Sequence, residues 1–146
     1  MSALSTASHS TIQQTILQAK NAVSSMIQLV NDNKILEASN YLLDDTFFIR
    51  PTGNPLTKTT WTQMLSSPDV NVVSNKLVEW NFADVSPDNS WVFLCYTTHS
   101  VFNYKGTDND DISVFTALVK NTNDGWKISY AQRSSGRSPQ DKLPKF

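Results

Sequence analysis

Near Val70 the character of this chain changes from a mainly helical hydrophobic period to a strand period, which the long runs after it keep. Before it, apolar residues recur at steps of three and four: Ile12, Ile16, Ala19, Val23, Met26, Ile27 and Val30 form one stripe. After it, long runs rich in β-branched and aromatic residues alternate and are cut by Pro87-Asp88-Asn89, Gly106-Thr107-Asp108-Asn109 and Asn121-Thr122-Asn123-Asp124-Gly125. A parallel doubly wound sheet needs helices between its strands, so helices gathered ahead of strands predict an α+β domain with an antiparallel meander. The 146 residues fit one such domain, which buries roughly two-thirds of its unfolded surface.

Ser10-Thr11-Ile12-Gln13 reads as a capping box, so the first helix is expected to open at Ser10 after a loose polar tail over 1–9. Asn31-Asp32-Asn33 ends that helix. A second, with Ile35, Ala38 and Leu42 on its apolar side, is expected to stop at Asp44-Asp45. Thr46 to Arg50 reads as a strand, and Pro51-Thr52-Gly53-Asn54-Pro55 as a turn. Thr57 or Thr59 can cap a short third helix that carries Trp61, Met64 and Leu65. Val70–Val85 is expected to hold one or two strands; Trp91–Tyr104, Asp111–Val119 and Trp126–Arg133 are one each, and 137–146 is a polar tail.

The Trp91–Tyr104 strand carries the functional signal. A strand with one buried face alternates apolar and polar side chains. Here Trp91, Phe93, Cys95, Thr97, His99 and Val101 share one face, and Val92, Leu94, Tyr96, Thr98, Ser100, Phe102 and Tyr104 share the other; both begin apolar and turn polar. Two apolar faces call for two covers. The helices supply one, and a second copy of the sheet in a homodimer can supply the other; a two-layer core with some exposed aromatics is the plainer alternative. On the last strand, Trp126, Ile128 and Tyr130 alternate with Ser129, Ala131 and Arg133. The polar drift toward the strand ends marks where a pocket would open. Phe48, Trp61, Met64 and Tyr96 would form its apolar walls, and Thr98, Tyr104, Arg50 and Arg133 would orient a polar or anionic group. Each arginine can instead pair with an aspartate, such as Asp44, Asp45, Asp110 or Asp111.

Other chemistries find little support. A net charge of −1 gives no field that would draw nucleic acid or an anionic membrane. No run approaches the ~18 apolar residues of a membrane span. Met1 to Ser10 has neither a basic residue nor an apolar core, so it does not read as a signal peptide, and cytoplasmic is the default location. One cysteine, Cys95, allows no intrachain disulfide. His99 is the sole histidine outside the first nine residues, and it lies on the face opposite Tyr96, so a structural or interface role suits it better than catalysis. No metal-ligand cluster, nucleophile elbow or glycine-rich phosphate loop is present, and no cofactor is implied.

The element order resembles the nuclear transport factor 2-like superfamily, especially its SnoaL-like branch, over roughly residues 10–136. The carrying motifs are Leu43-Asp44-Asp45-Thr46, Arg50-Pro51-Thr52-Gly53-Asn54-Pro55, and Trp126-Lys127-Ile128 running on to Arg133-Ser134-Ser135-Gly136. The last is also similar to the end of the calcium/calmodulin-dependent kinase II association domain, with Gln132 where that domain has a histidine. The resemblance implies a cone-shaped α+β barrel with a pocket, and commonly dimers packed through the sheet. Superfamily members include isomerases, cyclases, dehydratases and non-catalytic assembly domains, so fold does not decide chemistry. The expectation is a small-molecule-binding domain with or without weak isomerase or lyase activity on a polar or carboxylate-bearing substrate. The alternatives are a non-catalytic dimeric interaction module, or a metal-free iota-class carbonic anhydrase using the hydroxyls of Tyr96, Thr98 and Ser134; the His-His-Ser-Ser type of ending in that class is replaced here by Gln132-Arg133-Ser134-Ser135.

Overall fold

The helical stripe needs an apolar surface to cover, and the inner face of the sheet provides it. The structure, a computed structural model, describes residues 2–137, with side chains over 11–136. Helix α1 (Ser2–Asn31) lies along strand β3 (Val70–Val85) and also touches β4 (Trp91–Tyr104) and β6 (Gly125–Arg137). Ala19, Val23, Met26, Ile27 and Val30 from its stripe are buried. The helix begins at Ser2 rather than at Ser10, so residues 2–9 are helical where a loose tail was expected. All of the expected C-terminal tail past Arg137 lies outside the described residues.

At its far end α1 is pinned. The Asn31 side-chain amide donates to the Asn75 carbonyl (2.5 Å) and accepts from the Asn75 N–H (2.6 Å). Asn33 then takes the left-handed conformation (φ 59°) that asparagine tolerates better than most residues. Helix α2 is only Ile35–Ser39, and strand β1 (Leu42–Ile49) starts where that helix was expected to continue. Leu42 belongs to the sheet because it pairs with Ile128. It is 2% exposed, so tertiary burial overrides the short helical pattern. Pro55, the last residue of the expected turn, instead opens a three-residue strand β2 (Pro55–Thr57) on β1. Thr57 caps α3 (Lys58–Ser66) with a full capping box to Thr60. That helix buries Trp61.

The six strands run β2-β1-β6-β5-β4-β3, with β5 spanning Thr107–Thr122. From β3 to β6 the sheet is the expected antiparallel meander; β1 adds to β6 in parallel, and the sheet remains open. Val70–Val85 is one strand, broken by three register shifts. Strand β4 pairs with β5 without a shift from Trp91 to Tyr104, so the two faces read from sequence hold along its whole length. On β6 they do not. A bulge near Ser129 lets Val119 pair with Ile128 but Leu118 with Tyr130. An extra residue reverses the alternation beyond it, which turns Ile128 inward with Ala131 and sends Tyr130 outward.

Candidate functional site

The inner face of β4 builds one wall of a cavity. Leu94 closes into the core, and Tyr96, Thr98, Ser100, Phe102 and Tyr104 follow at every second residue toward the open end. Pairing with β5 sets Phe115 beside Tyr96 and Ser113 beside Thr98. The Tyr96 and Phe115 rings stack at 5.2 Å with planes 2° apart, while Trp80 meets Tyr96 edge-on and Phe48 meets Phe115 edge-on. Met26, Ile27 and Val30 from α1 and Trp61, Met64 and Leu65 from α3 form the opposite wall. The cavity volume is about 200 Å³.

All eight residues singled out from sequence line this cavity: Phe48, Arg50, Trp61, Met64, Tyr96, Thr98, Tyr104 and Arg133. Ser134, needed for the hydroxyl trio of the anhydrase alternative, is exposed and outside the lining. His99 sits on the outer face, as its position in the alternation requires, and its Nε2 meets the Asp110 carboxylate.

Three polar features define the chemistry. The Thr98 hydroxyl is buried, in a residue only 1% exposed, and has no hydrogen-bond partner among the described residues. Leaving such a group unpaired costs on the order of 1–3 kcal/mol. The Tyr96 phenol is fully enclosed, and burial pushes its pKa far up, so it stays a neutral donor over the physiological range. Ser100 donates to the Asn75 side-chain oxygen (2.9 Å).

Both arginines line the cavity. Strands β1 and β6 run parallel with Ile49 opposite Gln132, and Arg50 and Arg133 each follow the last paired residue of their strand. They differ in their partners. Arg133 donates from Nη2 to Asp111 Oδ2 (2.5 Å) and from Nε to the Ser113 hydroxyl (3.0 Å), and its guanidinium lies 5.9 Å over the Phe102 ring. Asp111 also accepts from Ser113 (3.0 Å) and from the Gly136 N–H (2.9 Å). Partial burial pushes the Asp111 carboxyl up, but the Gly136, Arg133 and Ser113 donors outweigh it and hold the pKa below the ordinary carboxylate value. For Arg133, then, the aspartate-pairing alternative is the one realised. Arg50 reaches only the Asn54 carbonyl through Nε (3.3 Å) and has no carboxylate partner among the described residues.

Sequence reasoning did not name Ser113, Phe115 or Asn75 as lining or supporting residues. The signal was available: with no bulge in β4, the register of one turn assigns Ser113 to Thr98 and Phe115 to Tyr96. Among the described residues no carboxylate or imidazole lines the cavity. Among the described residues no group of three or more His, Cys, Asp or Glu side chains is placed to hold a metal ion, and no helix is long and apolar enough to cross a membrane.

A family model described as "Protein of unknown function (DUF3804)" matches residues 13–142. No curated protein matches the sequence. Among solved structures, an NTF2-like protein of unknown function from Prochlorococcus is 30% identical, covers 82% of this chain and 94% of its own, and superposes with a TM-score of 0.71. A putative calcium/calmodulin-dependent kinase II association domain from Exiguobacterium sibiricum shares the fold at 18% identity, with 84% and 93% covered and a TM-score of 0.71. A ketosteroid isomerase-like protein from Erwinia carotovora does so at 15% identity, with 84% and 97% covered and a TM-score of 0.66. A helix packed on a curved, open sheet, this span of matched residues and the Prochlorococcus relative together identify the chain as a member of the DUF3804 family within the NTF2-like superfamily.

Proposed function

We propose that this domain binds a small organic molecule, with the apolar body against Phe48, Trp61, Met64 and Tyr96 and a polar or anionic end toward Thr98, Tyr104, Arg50 and Arg133. The observation that carries the reading is the Thr98 hydroxyl, enclosed in the cavity wall without a partner. Native proteins rarely leave such groups unpaired, and a ligand acceptor or donor relieves the penalty. Binding is favoured over proton-abstracting catalysis by the same lining. A general base must reach the substrate, and the nearby carboxylate, Asp111, is held by Arg133, Ser113 and Gly136 and made less basic by them. The kinship with a ketosteroid isomerase-like fold is compatible with a pocket, but the residues here support a site for holding. The single free cysteine, Cys95, suits a reducing compartment, and we place the domain in the cytoplasm.

A thermal-shift panel of small aromatic and aliphatic acids and their neutral counterparts tests the proposal. A ligand that binds only the folded state raises the melting temperature with the logarithm of its concentration. A shift for some members and a loss of that shift in Thr98→Val support the site; a flat panel up to millimolar concentration contradicts it.

A second proposal, compatible with the first, concerns the outer face. Phe47, Tyr130, Leu118 and Phe93 stand in one cross-strand row over β1, β6, β5 and β4, with Phe82 packed edge-on against Phe93. Phe47 and Phe82 are 46% and 55% exposed. An aromatic band of this extent fits a homodimer joined through the sheets.

A further inference from the structure

We infer that the cavity selects a single-ring monoanion, with Arg50 as its docking charge and Asp111 as the residue that keeps the site at one positive charge. This rests on the cavity being a ligand site, and it adds the ligand's size, shape and charge. Size comes first. A cavity of about 150 Å³ takes a benzene ring, so about 200 Å³ takes one ring and a small polar group. The walls suit a flat body, since Phe48, Tyr96, Phe102 and Phe115 all present rings.

Charge follows from the unequal arginines. Without Asp111, Arg50 and Arg133 would offer two positive charges to the same cavity, the setting for a dicarboxylate or a phosphate dianion. Asp111 cancels one of them: both its oxygens are engaged, by Arg133 and Ser113 on one and Gly136 on the other. Arg50 keeps its charge, and its Nε contact to Asn54 orients the guanidinium without neutralising it. A neutral ligand leaves that charge unmatched. A monoanion matches it, and the second charge of a dianion finds no second unpaired guanidinium, because Arg133 is already held by Asp111. Thr98 supplies the neutral hydrogen bond that holds the polar end in register.

Calorimetric titration of the full chain with toluene, benzoate, benzamide and phthalate tests this. Benzoate is expected to bind about tenfold tighter than benzamide or phthalate, the scale of one charge-assisted hydrogen bond. Arg50→Gln is expected to erase that preference while leaving toluene binding intact. Asp111→Asn, which uncovers the second guanidinium, is expected to raise phthalate affinity about tenfold relative to benzoate. If Asp111→Asn does not fold, wild type and Arg50→Gln still decide. Benzamide binding as tightly as benzoate, or Arg50→Gln retaining full benzoate affinity, overturns the inference. Toluene bound without any benzoate preference overturns it too, yet leaves the cavity standing as a ligand site. Failure of all four probes removes the cavity reading itself.

Discussion

At the scale of single residues, the cavity is written in hydroxyls and two arginines, one of which is paired with a carboxylate outside the lining. Thr98 is the most diagnostic. If its hydroxyl is held for a ligand, the free protein carries the cost of burying it, and the isosteric Thr98→Val is expected to stabilise the apo domain by about 1 kcal/mol while weakening ligand binding. Chemical denaturation with and without benzoate measures both signs. Asp111 carries a pH signature. Its folded pKa is depressed below the ordinary 3.8, so its stabilisation is complete above that value and is lost as pH falls through the folded pKa. The melting temperature of wild type is therefore expected to fall more steeply than that of Asp111→Asn between about pH 4 and pH 2. Parallel melting curves for the two proteins over that interval would show that Asp111 does not have the partners described. Arg50 and Arg133 show how far residue type reaches. Both were legible as cavity residues from their places at strand ends, but which of them carries a net charge depends on a Gly136 N–H and a Ser113 hydroxyl that pairing alone brings to Asp111.

At the scale of elements, strand β4 was legible because alternation over fourteen residues admits no ambiguity when the register is unbroken. Tyr96, Thr98 and Tyr104 followed directly from it. Strand β6 was legible in place, though it runs on to Arg137 beyond the expected end at Arg133, but not in facing, because one bulge near Ser129 reverses the alternation and no local residue type announces it. The α2–β1 boundary was missed for a different reason. Leu42 fits a helical step from Ile35 and Ala38, and only the Ile128 partner, 86 positions away, assigns it to the sheet. Long-range pairing of that kind leaves no mark in a local window. The cap of α3 was readable only to a choice between Thr57 and Thr59, and the reciprocal capping-box bonds with Thr60 settle it on Thr57. That box positions Trp61 in the cavity wall, so Thr57→Ala is expected to cost about 1 kcal/mol of stability and to loosen the helix that closes the cavity. Denaturant unfolding gives the first effect, and faster hydrogen exchange confined to α3 gives the second. Exchange unchanged across α3 would separate the cap from the cavity.

At the scale of the whole molecule, the chain meets two apolar faces of one sheet with different answers. The inner face is covered by α1 and α3 and keeps a hollow. On the outer face no helix packs among the described residues, and an apolar row of three aromatic residues and Leu118 spans four strands. Burying that row against a second copy is expected to yield a dimer in sedimentation equilibrium, and Phe82→Lys, at an exposed site on the edge strand, is expected to shift it toward monomer with the fold retained by circular dichroism. A wild-type monomer at high micromolar concentration would contradict the outer-face proposal and leave the inner one untouched. The α+β class followed from the change of period near Val70 and the cone-like arrangement from the family resemblance, whereas the open parallel join of β1 to β6, which brings both arginines to one cavity, required the whole chain to be folded.

The most direct measurement of the central claim is a methyl-resolved NMR titration with benzoate, following Thr98, Met64 and Ile128 in the cavity against Leu36, 74% exposed, as the surface reference. Saturable shifts in the three cavity methyls with Leu36 unmoved are the expected result. Cavity methyls that stay fixed at saturating benzoate, or that move no more than Leu36, would contradict the claim that this hollow is a binding site.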